Sequence, residues 1–195
     1  RTGPIVVVSE EPDHAARLAG DIAFLLGKKG GDEDDDEDAA VLVLTMPDAS
    51  PYADLNPDRR GAMVRMATLS HLASDRPWDV LVVPPAALVR KLVPPRVIRA
   101  ATFHVRKDDE LARDTLVRDL LDAGWLRVPV VEDPGSFAVR GSILDVWPPG
   151  TVNPVRIELY GDLVESLKTF DATSQTTIGE PLEEVWLCPA RDAIL

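Results

Sequence analysis

The chain holds one cysteine, Cys188, so no disulfide can form within it. Its setting, VWLCPA, is that of a small buried hydrophobe. There is no cleavable leader pattern and no apolar run of about 18 residues, and the chain therefore reads as cytoplasmic. Positive charge is scarce: 21 Lys and Arg stand against 33 Asp and Glu, a formal net charge of −12. Such a balance argues against a surface built to neutralise phosphates, and free nucleic acid is not the expected main ligand.

Chemistry-bearing patterns are lacking too. G-x-S-x-G, C-x-x-C and H-E-x-x-H do not occur. His14, His71 and His104 fall on separate predicted elements with no Cys or carboxylate partner at metal spacing, as ordinary surface or edge histidines do. Glu183 and Glu184 read as a solvated approach to a strand. The segment GKKGGDEDDDED sets Gly beside Lys, but a phosphate loop requires G-x-x-x-x-G-K-[ST] between a strand and a helix start. Here the lysines follow a helix and lead into the acidic run Asp32 to Asp38, which would repel a nucleotide, so the segment is expected to be a disordered, solvated insert near residues 27 to 39. The chain is not expected to be an enzyme by itself, nor to hold a metal or cofactor.

What is present is enough for one large or two small domains: 195 residues, 45% hydrophobic and 28% charged. In residues 1 to 100, the uninterrupted runs Ile5 to Val8, Val41 to Leu44 and Val80 to Val83 predict strands covered on both faces. Between them, Pro12 to Leu26 and Asp58 to Leu72 carry apolar residues at helical spacing, the latter on Ala62, Met63, Met66, Leu69 and Leu72. This alternation predicts an α/β domain with a parallel sheet. The connection SPYADLNPDRR is turn-rich, with Asn56 or Asp58 as N-cap, and Arg59, Arg60 and Arg65 read as a solvated helix start. A short helical piece over Ala86 to Leu92 precedes Pro94 to Ala100, the candidate boundary.

Residues 101 to 195 are more acidic, with 9 Lys and Arg against 17 Asp and Glu. A strand is expected over Thr102 to Arg106. A helix follows over Leu111 to Ala123, striped by Leu111, Leu116, Leu120 and Leu121 and stopped by Gly124. Leu126 to Val131 then starts a mainly antiparallel sheet, and Val185 to Cys188 supplies a last apolar strand, an α+β unit. At its centre, Ser136 to Gln175 alternates apolar and polar residues between breaks at Gly141, Pro148 to Gly150 and Gly161, the pattern of a β-meander. Period two sends Val155, Ile157 and Leu159 to one face and Arg156, Glu158 and Tyr160 to the other. Phe137 and Val139 likewise oppose Ala138 and Arg140. Two arginines, a carboxylate and a phenol thus share a solvent-facing patch.

The strings FAVRGSILDVWPPG, PVRIELYGDLVESLKTFD and SPYADLNPDRR, with Leu69 to Val93, resemble the module shared by the excision-repair protein UvrB and the transcription-repair coupling factors. The resemblance covers nearly the whole chain outside the acidic insert. It favours the coupling factors, because the long aromatic hairpin of UvrB would fall between Met46 and Arg65, where only a short connection stands. It implies an incomplete RecA-like α/β domain without a P-loop, then a domain like the second domain of UvrB. It further implies docking of UvrA on Arg140, Arg156, Glu158 and Tyr160. At Ala138, UvrB tends to carry another arginine. The parent protein would be an ATP-driven DNA translocase, with ATP and Mg in a motor outside this chain and RNA polymerase and DNA as partners. In that family the UvrA surface is covered at rest by another domain of the same chain. The fragment is expected to be monomeric. Two other readings stand beside this one: a fragment of an ATP-dependent, damage-verifying enzyme of the UvrB kind, and a scaffold domain that binds nothing.

Overall fold

Short β-branched runs and the helices between them build a parallel layer in the first half of the chain. In the computed structural model, which describes residues 3–10, 12–27, 41–46, 59–89 and 91–192, β1 (Ile5–Val8), β2 (Val41–Val43) and β3 (Val80–Val83) pair in parallel in the order β1-β3-β2. Helix α1 (Pro12–Leu25) closes one side of this sheet, where Ala15 and Ala19 pack with Val80 and Val82. Helix α2 (Arg59–Ala73) packs Met66, Leu69 and Ala73 with Leu44, Val83 and Ile98 in a second cluster. The acidic run Asp32 to Asp38 and the proposed N-caps Asn56 and Asp58 lie outside the described residues.

One strand departs from expectation. β1 is not covered on both faces: Ile5, Val6 and Val8 are 49%, 52% and 56% exposed. It is an edge of the described sheet, and α1 packs on β2 and β3, so a β-branched run reported a strand without reporting its cover. Beyond β3, α3 (Pro85–Leu88) and α4 (Pro95–Ala100) both begin on a proline, whose fixed φ suits a first helical turn. Pro94 to Ala100, read as the boundary between units, thus carries a helix whose Ile98 is buried with the first unit's residues.

The second half is a six-stranded sheet beneath one helix. Its strands are β5 (Leu126–Arg127), β6 (Ser136–Arg140), β7 (Ile143–Val146), β8 (Val155–Tyr160), β9 (Leu163–Phe170) and β10 (Thr177–Leu182), in the order β10-β9-β8-β7-β6-β5. All pairs are antiparallel except β5 with β6. Helix α5 (Arg113–Asp122) lays Leu116 and Leu120 on a core that includes Phe137, Leu144, Ile157 and Leu167. It ends in a Schellman turn: Gly124 sits at φ +88°, its N–H donates to Leu121 O, and the Trp125 N–H donates to Leu120 O. Leu121 is off the buried stripe at 44% exposure, and Leu111 packs on the core from before the helix begins. The last strand, β11 (Glu184–Leu187), does not extend the meander. It pairs antiparallel with β4 (Phe103–Arg106), while β10, an element the sequence pattern did not signal, takes the edge.

Helix α2 serves both halves. Its Met63 belongs to the core beneath the meander, and the Arg59 Nη2 donates to Gly135 O at 3.1 Å. Gly135 has φ +73°, and a β-carbon there would lie 2.5 Å from Met63 Sδ. Arg65, expected on a solvated helix start, is instead 5% exposed and paired with Asp192. It lies where the segment around Asp192 meets α2, so a contact distant in the chain decided its burial.

Candidate functional site

The meander turns its apolar positions inward and its polar ones outward. Along β8, Val155, Ile157 and Leu159 are buried, Arg156 and Glu158 half-buried, and Tyr160 is 77% exposed. Period two therefore placed Arg156, Glu158 and Tyr160 on one face as expected. Register adds the neighbours: Arg156 stands opposite Asp145 on β7 and Lys168 on β9, and Glu158 opposite Ile143 and Ser166. Arg140, at the end of β6, stands opposite Ile143. The four residues singled out in the sequence thus rise from two strands separated by β7, on the outer face of one sheet.

They are not four free side chains. Asp145, which has no exposed surface, accepts hydrogen bonds from Arg156 Nε at 2.7 Å and Arg156 Nη2 at 3.1 Å. Arg140 Nη2 donates to the same carboxylate at 2.5 Å. One buried anion therefore orients both guanidiniums. The Asp145 hydrogen bond, followed by the carboxylate charges of Asp145 and Glu158, holds the Arg156 pKa above its ordinary value against the opposing effect of burial. Arg156 also lies over the Phe170 ring at 4.8 Å, a cation–π contact that fixes its plane. Glu158 is held below the usual carboxylate range by hydrogen bonds from Lys168 Nζ, at 2.8 Å, and from Ser166 Oγ.

Exposure grades the set. Side-chain exposure is 47% for Arg140, 17% for Arg156, 32% for Glu158 and 34% for Lys168. Tyr160 is the most open, at the tip of the β8–β9 hairpin beside Gly161 at φ +65°. Ala138 is not solvent-facing: it is buried with Val131 and Phe170 in a small apolar cluster flanked by Val128 and Trp147. The outer face therefore runs from a covered apolar end, through an ordered ionic centre, to an exposed aromatic tip. Its centre joins Arg140 to Gln175 Oε1 at 3.3 Å, and Gln175 in turn donates to the Ala172 and Val131 carbonyls. Such a face offers a rigid guanidinium fork and a phenol at low entropic cost, the residue types favoured at protein–protein hot spots.

Asp145, Lys168, Phe170 and Gln175 were missed by sequence reasoning. Asp145 had a signal: an acid at the outward position of the ILDV strand, flanked by strands each bearing an outward arginine. The other three depend on register and on a loop at residues 171–176 that no periodicity encodes.

Of the three histidines, read as surface or edge residues, only His71 departs from expectation; His14 is exposed on α1. His104, read as having no Cys or carboxylate partner at metal spacing, has its Nε2 2.6 Å from Glu184 Oε2 and stacks on Trp186 at 3.9 Å. Antiparallel pairing of β4 with β11 brings these distant residues together, and Glu184 is half-buried rather than a solvated approach. His71 is buried, its Nε2 donating to the Pro77 carbonyl at 3.0 Å. His14 Nδ1 lies 3.4 Å from Ser9 Oγ. Among the described residues no group of three or more His, Cys, Asp or Glu is arranged to hold a metal ion, and no helix is long and apolar enough to cross a membrane.

Residues 103–192, the helix and sheet just described, match the family model of the UvrB interaction domain. The whole chain is similar to the transcription-repair-coupling factor of Myxococcus xanthus, with 38% identity over 192 residues, 98% of this chain and 16% of that protein. It is 30% identical to that of Escherichia coli over 190 residues, 97% of this chain and 15% of that protein. The UvrABC system protein B of Mycoplasma mobile is 28% identical over 148 residues, 74% of this chain and 22% of that protein. The chain thus spans less than a quarter of the length of each of these relatives.

Proposed function

The chain belongs to the family of UvrB-like modules carried by transcription-repair-coupling factors, and from that premise we propose that it is a DNA-repair adaptor that docks UvrA on the outer face of the β6–β9 meander. In this role it joins nucleotide excision repair to RNA polymerase stalled at a lesion. The motor that moves on DNA, with its ATP and Mg, and the contacts to polymerase belong to other parts of the parent protein. The first unit is read as an incomplete RecA-like domain that supports the docking domain.

The observation that carries the reading is the ordered ionic centre with its exposed tip. Arg140, Arg156, Glu158 and Tyr160 share one face, two of them oriented by a carboxylate that no partner can reach. A solvating sheet face does not require a buried acid to aim its arginines. Burying Asp145 costs free energy, and a preordered binding surface is a return for that cost. The surface is locally positive within a chain of net charge −12, which favours a partner presenting carboxylates and disfavours indiscriminate binding.

The roles within the set are unequal. Tyr160 and Arg140 are the residues open enough to enter a partner's surface, and Glu158 and Lys168 form a charged pair at the rim. Arg156 acts mainly by holding the fork and the Phe170 ring in place. For the same reason Arg156→Glu is a poor probe, since it sets a second carboxylate against buried Asp145 and damages the fold as well as the surface. The test is co-purification of UvrA with the wild-type chain and with Arg140→Ala and Tyr160→Ala. Loss of capture by variants with unchanged melting temperature supports the reading, and undiminished capture by both removes this face as the docking site.

A further inference from the structure

A second site lies in the other half of the molecule, beyond the carboxyl ends of two parallel strands. Leu44, Thr45 and Met46 leave β2 and Ala87 follows β3, and together with α2 they enclose a cavity of about 220 Å³. Open α/β sheets bind ligands at this end of their strands, where loops diverge and the first turns of helices begin. Leu69, Leu92 and Val93 give the cavity apolar walls.

Two polar side-chain atoms of its lining are buried and lack a hydrogen-bond partner among the described residues: Arg65 Nη1 and Thr45 Oγ1. Arg65 is 5% exposed, and its other terminal nitrogen, Nη2, is engaged by Asp192. Leaving a guanidinium N–H and a hydroxyl without acceptors in an apolar wall is costly, and native structures avoid it unless something else supplies the acceptor. Lys91 also lines the cavity, so among the described residues its charged groups are two cations and the Asp192 carboxylate, a net charge of one positive.

We infer that this cavity binds a small monoanion, a carboxylate on a compact apolar body, whose oxygens accept from Arg65 Nη1 and Thr45 Oγ1 while its body lies against Leu69, Leu92 and Val93. The single net charge selects a monoanion over a phosphate dianion, and the volume, below the roughly 300 Å³ at which drug-sized sites begin, selects a small one. The site uses none of the residues of the meander face and stands or falls apart from the docking of UvrA.

The test is titration of the isotopically labelled protein with phenylacetate, followed by amide NMR, with phenylacetamide and phenethylamine as neutral and cationic counterparts. Phenylacetate is expected to give saturable shifts confined to residues 44–46, α2 and the segment around Lys91, and the two counterparts none at equal concentration. Thr45→Val should weaken phenylacetate about fivefold, the worth of one hydrogen bond, while raising the melting temperature of the free protein because an unsatisfied hydroxyl is gone. Lys91→Met should weaken binding at low salt and flatten its salt dependence. Absence of saturable shifts with phenylacetate, equal binding of the amide, or unchanged affinity in Thr45→Val would each overturn the inference.

Discussion

Replacing Asp145 by Asn tests the physical core of the docking surface. The substitution keeps shape and one acceptor, but removes the charge that two guanidiniums share and turns an amide N–H₂ toward one of them. The pair with Arg156 is bidentate, at 2.7 and 3.1 Å, between a carboxylate with no exposed surface and a guanidinium 17% exposed. Charge-assisted bonds in that setting contribute about 2–3 kcal/mol. The bond from Arg140 is comparably short, but that side chain is 47% exposed, and solvent screening reduces its share to less than about 1 kcal/mol. The expected loss is about 3 kcal/mol, or a fall in melting temperature of roughly 6–12 °C for a chain of this size. Urea unfolding followed by tryptophan fluorescence measures it, and a double-mutant cycle with Arg156→Met apportions it. A coupling of about 2 kcal/mol is expected between Asp145 and Arg156, and less between Asp145 and Arg140. Coupling below about 0.5 kcal/mol for the Arg156 pair, within the usual additivity of independent sites, would refute the assignment of Asp145 as the anchor.

Three further outcomes follow from the packing. Gly135→Ala should destabilise by more than about 2 kcal/mol, because φ is +73° and the new β-carbon meets Met63 Sδ at 2.5 Å, whereas Gly141→Ala, with open space around it, should cost only about 1–2 kcal/mol of backbone strain; paired urea titrations measure the difference. Burial, with Arg76 nearby, holds the His71 pKa below its ordinary 6.5, although the Pro77 hydrogen bond opposes the shift. The unfolded chain then takes up more protons, so this contribution to stability is complete above about pH 6.5 and declines as pH falls toward the folded value. Melting temperatures between pH 8 and 5 should show that slope, and His71→Gln should flatten it. Cys188 is fully buried, and its thiol is pushed up to about 12 by that burial; alkylation by iodoacetamide should track global unfolding in urea and be negligible in the native protein.

Local periodicity carried much of this architecture. The alternation in Val155 to Tyr160 fixed which residues share the outer face, because a half-buried strand has one register that keeps its apolar side inward. The parallel layer was legible from short β-branched runs separated by amphipathic helices. What stayed hidden depends on contacts distant in the chain. β4 and β11 lie some eighty residues apart, and only their pairing creates the stack of His104 on Trp186 with Glu184 alongside. Asp145 looked like one acid among many until register set it between Arg140 and Arg156. Arg65 looked like surface charge because its helix start is basic, yet its burial was decided by the segment around Asp192 returning to α2. β1 shows the converse, since a run fit for the interior of a sheet lies at an edge of the described sheet with most of its side chains exposed.

The most direct measurement is calorimetric titration of UvrA into the wild-type chain and the Arg140→Ala/Tyr160→Ala double variant, with melting temperatures recorded for both. Two hot-spot residues lost together should weaken binding by at least about 30-fold, or roughly 2 kcal/mol, while the fold stays intact because Tyr160 is 77% exposed and the half-exposed Arg140 contributes less than about 1 kcal/mol to stability. Affinities within twofold of one another, at equal melting temperature, would contradict the account.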